Sequence, residues 1–112
     1  MEYRATARGI PASPRKMRLI TERLPGLSVD QALALLRYLP SPHARSVSKV
    51  VLSAAANAEN NFSADVDGLV IKRAYADEGR TMRRFRARSR GRASPLLKRS
   101  SHITIILDER EA

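Results

Sequence analysis

The 112-residue sequence has no cysteine, no tryptophan, three tyrosines and two phenylalanines. Without cysteine there can be no disulfide, no thiol chemistry and no thiolate-held zinc. With so few aromatics, a core must be built from Leu, Ile, Val and Ala. No apolar run approaches the ~20 residues that a membrane-spanning helix needs. Met1-Glu2-Tyr3-Arg4 opens without the apolar stretch of a secretory signal, so a soluble, cytosolic protein is expected. The two histidines, His43 and His102, lack any ligand spacing, and structural or surface roles are expected for both. No serine lies in a nucleophile motif, and the five glycines form no phosphate-cradling loop. Asp65, Asp67 and Gly68 read as a turn and supply too few ligands for a calcium loop. Asp77-Glu78 reads as a charged strand end without a partner for acid–base work. An enzyme, a metal and a cofactor are therefore not expected.

The most telling absence is of acid. From Gly79 to Leu107 there is no Asp or Glu, while the same stretch holds nine Lys or Arg, eight of them Arg. It carries +9 of the formal +10, and the remaining 12 basic and 11 acidic residues nearly cancel. Such a block repels itself and calls for a dense polyanion, and the planar fork of Arg suits phosphate. The block is also internal, because Ile103-Thr104-Ile105-Ile106-Leu107 follows it and reads as a core strand. An anionic membrane fits less well, since the block has no amphipathic helical spacing.

The length predicts one domain, residues 1–112. Tyr3 to Arg8 alternates as a short strand, broken by Gly9 and Pro11. Ser13-Pro14 reads as N-cap and first helical residue, with Met17, Ile20 and Leu24 at helical spacing and Pro25-Gly26 as the stop. Arg15, Lys16, Arg18 and Arg23 share this helix, and its first turn suits phosphate. Ser28 with Gln31 is a capping-box pattern for a second helix, apolar along Ala32, Leu35, Leu36 and Leu39 and ended by Pro40. A third helix is expected from Ser41-Pro42, with Val47, Val50, Val51, Ala54 and Ala58 as its stripe and Asn60-Asn61 as its exit. Leu69 to Ala76 and His102 to Leu107 read as strands. The fold class is therefore α+β, a small three-stranded antiparallel-type sheet packed with three helices. Residues 79–100 between its last two strands form a long, protruding basic β-hairpin. An arm from Gly79 to a tip near Ser89 would reach roughly 30 Å. Arg84, Arg86, Arg88, Arg90 and Arg92 recur every two residues and would share one face of an extended strand.

Several segments resemble a known family. These are Ser13-Pro14-Arg15-Lys16-Met17-Arg18, Ser53-Ala54-Ala55-Ala56-Asn57-Ala58-Glu59-Asn60-Asn61 and Ala74-Tyr75-Ala76-Asp77-Glu78-Gly79. Two more are Arg90-Gly91-Arg92-Ala93 and Lys98-Arg99-Ser100-Ser101-His102-Ile103-Thr104-Ile105. In this order and over nearly the whole chain they are similar to large-subunit ribosomal protein twenty-two, in its bacterial form. The resemblance implies a non-catalytic component of the large subunit that binds ribosomal RNA, aids its assembly and lines the peptide exit tunnel with its hairpin. That hairpin would help form the tunnel constriction near the macrolide site. The implied RNA-binding residues are Arg15, Lys16, Arg18, Arg80, Arg83, Arg84, Arg86, Arg88, Arg90, Arg92, Lys98 and Arg99. The implied tunnel-lining residues are Met82, Arg83, Arg84, Phe85, Ser89, Arg90 and Gly91. Ribosomal RNA, neighbouring large-subunit proteins and the passing nascent peptide are the implied partners, with no membrane. Arg80 after Gly79, and Arg86 before Ala87-Arg88, stand where the family usually has proline. A free-standing basic β-ribbon that binds or shapes DNA is the alternative from the residues themselves.

Overall fold

The computed structural model describes residues 1–87, 89–91 and 93–109. Its elements run β1 (Glu2–Ile10), α1 (Pro14–Thr21), α2 (Val29–Tyr38), α3 (Ala44–Phe62), β2 (Leu69–Glu78), β3 (Met82–Ala87), β4 (Ala93–Lys98) and β5 (Ser101–Glu109). They make two separate antiparallel sheets, one in the order β1-β5-β2 and the other the pair β3-β4. This is the expected α+β architecture.

The strand last in sequence is central in space. Ile103, Ile105 and Leu107 of β5 point to the helices and are completely buried. In that order they meet Ala7, Ala5 and Tyr3 of β1, and Ala76, Ala74 and Ile71 of β2, in direct register. Small residues on the flanking strands let helices approach closely: α3 crosses β1 and β5 with Val47, Val51, Ala54 and Ala58 buried, and α1 inserts Met17 against β2 and β5. Helices cover only this face. On the open face, Ile106 of β5 lies between Arg4 of β1 and Arg73 of β2 and is still 2% exposed, an arrangement in which long basic stems shield an apolar side chain.

Local signals account for most boundaries. Ser13 caps α1, its hydroxyl accepting from the Lys16 N–H, and Ser28 with Gln31 forms the complete reciprocal capping box of α2. Four boundaries differ from the sequence reading. α1 ends at Thr21, so Arg23 and Leu24 lie in the following turn; Leu24 is nevertheless fully buried. α3 begins at Ala44 because Ser41 spends its hydroxyl on the His43 N–H and Pro42 forms only a tight preliminary turn. It also runs past Asn60-Asn61 to Phe62, whose ring meets Tyr3 at 5.2 Å, and it closes through left-handed Ser63. β1 likewise continues through Gly9, whose φ of +69° produces a register shift between Ala7 and Ile10.

Candidate nucleic-acid interface

The two sheets meet at residues 79–81 and 99–100. Gly79 donates its N–H to the Ser100 carbonyl at 2.9 Å, and the Ser100 hydroxyl donates to the Arg80 carbonyl at 2.6 Å. These bonds clamp together the two chain segments from which β3 and β4 extend. Every side chain of β3 is exposed, including Phe85 at 73%. The longest dimension of the molecule is 66 Å, against 26 and 17 Å for the others.

Strand pairing gives the arm two unlike faces. Arg83, Phe85 and Ala87 stand opposite Leu97, Pro95 and Ala93. Met82, Arg84 and Arg86 stand opposite Lys98, Leu96 and Ser94. The expected two-residue spacing of arginines therefore places Arg84 and Arg86 on one face, as alternation requires. It stops there. Arg90 belongs to the turn Ser89–Gly91, and both Arg90 and Gly91 adopt left-handed backbone angles (φ +63° and +71°). Arg88 and Arg92 lie outside the described residues.

At the root of the arm, two basic segments distant in sequence come together. A hollow of about 340 Å³ is bordered by Ser13, Arg15, Arg18 and Arg99, with Glu78 as its one acid. A second, of about 440 Å³, is bordered by Lys16, His43, Lys98 and Arg99. A third, of about 260 Å³, adds Arg80 and Met82 beside Lys98, Arg99 and Ser100. Arg99 borders all three. The first turn of α1 thus faces the same space as the base of the arm. Arg18 is held in place by its Nε–H, which donates to the Ala76 carbonyl at 3.0 Å.

The ion pairs among the described residues are confined to the opposite end of the main sheet, where Lys72 meets Glu2 and Asp108 and the terminal amine meets Asp108. None of the arm and root cations has a carboxylate partner among the described residues. A set of exposed, uncompensated guanidinium and ammonium groups spread along an arm can follow a phosphate backbone over many ångströms.

Further cations lie outside the positions read from the sequence. Arg4 and Arg8 project from the open face of β1, and Arg73 from that of β2, in rows across β5 with Thr6, Thr104 and Tyr75. The alternation Arg4-Thr6-Arg8 was visible in the sequence as a polar face, but its alignment with Arg73 across β5 was not. His43, read as a surface or structural residue, borders the root hollow.

A family model described as Ribosomal protein L22p/L17e matches residues 5–108. The chain belongs to that family. It is also 47% identical over 110 residues, covering 98% of this chain and 99% of the relative, to the large ribosomal subunit protein uL22 of Clostridium novyi (strain NT). The match spans both sheets and all three helices, so the arm falls inside the family's domain rather than being an addition to it.

Proposed function

We propose that the chain is a structural component of the large ribosomal subunit in the cytoplasm, a single domain of residues 1–112 bound to large-subunit ribosomal RNA. The observation that carries this reading is the convergence of Arg15, Lys16, Arg18, Arg80, Lys98 and Arg99 at the root of an exposed arm whose cations have no acidic partners among the described residues. The root anchors phosphates, and Arg83, Arg84, Arg86 and Arg90, with Arg88 and Arg92, extend the contact along residues 79–100. Affinity comes chiefly from neutralised phosphates, and the RNA is read by shape. The arm lines the peptide exit tunnel through Met82, Arg83, Arg84, Phe85, Ser89, Arg90 and Gly91, where it meets the nascent peptide. Assembly of the RNA, contact with neighbouring proteins and a purely structural, non-catalytic role belong to the same reading.

Salt dependence tests it. If about six to nine phosphates are neutralised at ~0.7 ions each, the log–log slope of affinity against salt is on the order of −4 to −6. Replacing Arg84, Arg86 and Arg90 by Ala together lowers that slope by about two. An unchanged slope would remove these side chains from the RNA contact. Equal or tighter binding to duplex DNA would favour the free-standing ribbon instead.

A further inference from the structure

We propose that the free edge of β1 is a docking site for an extended acidic segment of another protein, which adds a fourth strand to the main sheet. Neither the arm nor its root takes part, and the proposal stands whether or not the arm binds RNA.

The two edges of the main sheet are treated differently. The β2 edge is occupied: Gly26 donates to the Ile71 carbonyl at 2.8 Å, Ile71 donates to the Leu27 carbonyl at 2.8 Å, and Arg18 holds the Ala76 carbonyl. β1 pairs only with β5 among the described residues. Its outward backbone groups can be assigned. The Arg4 carbonyl receives the Asn57 side-chain amide at 3.2 Å, so it points away from β5. The Gly9 N–H, at the bulge, is spent on Nδ1 of His102 on β5 at 3.1 Å. Strand alternation then turns the N–H and C=O groups of Thr6 and Arg8 outward. Asn57 occupies the Arg4 carbonyl at one end of this edge and the Gly9 bulge closes the other, leaving the stretch between them open.

Beside this edge lies a largely apolar hollow. It has a volume of about 230 Å³ and lies between Ala5, Ala7 and Ile10 of β1 and Ser46, Lys49, Val50 and Ser53 of α3. The four α3 residues recur at helical spacing and make one wall. An added strand would alternate its side chains between two environments. One set would enter this hollow, which suits small or branched apolar residues. The other would stand on the open face opposite Arg4, Thr6 and Arg8. Cross-strand pairing there favours acid against each arginine and Thr against Thr6. The recognised pattern is therefore acid–apolar–Thr–apolar–acid, which reads the same in either strand direction.

Charge selects the occupant. A second copy of this chain pairing β1 with β1 would set arginine against arginine, which is repulsive. RNA has no alternating N–H and C=O ladder to pair with an open strand edge. An acidic strand satisfies the backbone, the hollow and the arginines together.

The test uses the full chain and the synthetic peptide Glu-Val-Thr-Val-Glu, blocked at both ends. In low-salt buffer, amide resonances of Thr6 and Arg8, and those of Ser46 to Ser53, should shift saturably, while β2 resonances stay fixed. The peptide with Lys in place of both Glu should bind at least about tenfold more weakly. R4E/R8E should reverse that preference, which also guards against general stickiness. In purified large subunits carrying the chain with a photoreactive side chain at Ser53, the adduct should survive ribonuclease and contain protein. Equal binding of both peptides, shifts confined to the arm, or a ribonuclease-sensitive adduct would overturn the proposal. A chain that failed to enter subunits would count against the ribosomal reading, and the peptide titration would still decide this one.

Discussion

The two sheets of this chain share one backbone geometry and differ in almost everything else. In the main sheet the central β5 buries Ile103, Ile105 and Leu107 completely beneath helices. In the β3-β4 sheet every β3 residue is exposed, and Phe85 has no helix to cover it. Both have antiparallel ladders, so the ladder is not what separates them. Burial of apolar area supplies most of the driving force for folding, and an isolated two-stranded ribbon is marginal in water. The arm adds self-repulsion among its arginines. The body is built to hold its shape alone, and the arm to complete its shape against a partner.

The largest expected effect follows directly. In the free protein, amides of Arg83 to Ala87 should exchange faster than those of Ile103 to Leu107 by on the order of a thousandfold or more. Trypsin should cut first between Arg83 and Arg92, with Met1 to Ala76 resisting longer. Binding to ribosomal RNA should remove that sensitivity. Equal protection of the two sheets in the free chain would erase the distinction drawn here.

Matched truncations come next in size. Ile105→Ala would leave a cavity in the body at a cost of about 2–5 kcal/mol. Phe85→Ala should change stability by no more than ~0.5 kcal/mol, as for an exposed site, despite the larger side chain. Chemical denaturation of both variants measures the contrast. A large loss for Phe85→Ala would mean that the arm folds back onto the body in solution.

The same division explains what the sequence disclosed. The strands of the body announced themselves through apolar alternation, and α1 and α2 through Ser13, Ser28 and Gln31, because these are local signals with local causes. The start of α3 was misplaced by two residues because Ser41-Pro42 can cap either a helix or a tight turn, and only packing decides. The arm was legible as an acid-free stretch between two strands. The convergence of Arg15, Lys16 and Arg18 with Lys98 and Arg99 was not, since it depends on where α1 sits against β2. Nor could the sequence bring Arg73 into line with Arg4, because that depends on β5 lying between β1 and β2 and on the bulge at Lys72.

The junction between the sheets sharpens the comparison at a smaller scale. A methyl group on Gly79 would lie 2.5 Å from the Ser100 hydroxyl and 3.2 Å from its carbonyl carbon. Gly79→Ala should therefore displace the hydroxyl from the Arg80 carbonyl, at about 0.5–1.5 kcal/mol for the lost hydrogen bond, and redirect the arm. Ser100→Ala removes the same bond without crowding. Residual dipolar couplings of β3 and β4 relative to β5 should change more for Gly79→Ala than for Ser100→Ala. Identical couplings in both variants and the wild type would show that the clamp does not set the arm's direction.

The smallest effect concerns charge, where the two regions differ again. The arm holds cations without acids, whereas Lys72, the extra residue of a bulge in β2, joins all three strands of the main sheet through Glu2 and Asp108. The hydrogen bond from Lys72, then its charge, holds the Glu2 carboxyl below its ordinary value of 4.5. The backbone N–H of Glu109 is the main cause that lowers Asp108, with the terminal amine and Lys72 adding to it. Carboxyls depressed by folding contribute stability that is present above their unfolded values and lost as pH falls through the folded ones. Lys72 is raised above 10.5, chiefly by its hydrogen bond to Glu2, so its contribution is complete below that value and lost as pH rises through the folded one. The groups are exposed, so the gain is small and screened by salt. Lys72→Met should lower the melting temperature slightly at pH 7, and the difference should vanish on acidification below the depressed carboxyl values or in molar salt. Exchange in the arm should not respond to Lys72→Met at any pH, because no residue from Gly79 to Leu107 is acidic. A melting difference that persisted in acid would assign the role of Lys72 to packing of its stem at the bulge rather than to its charge.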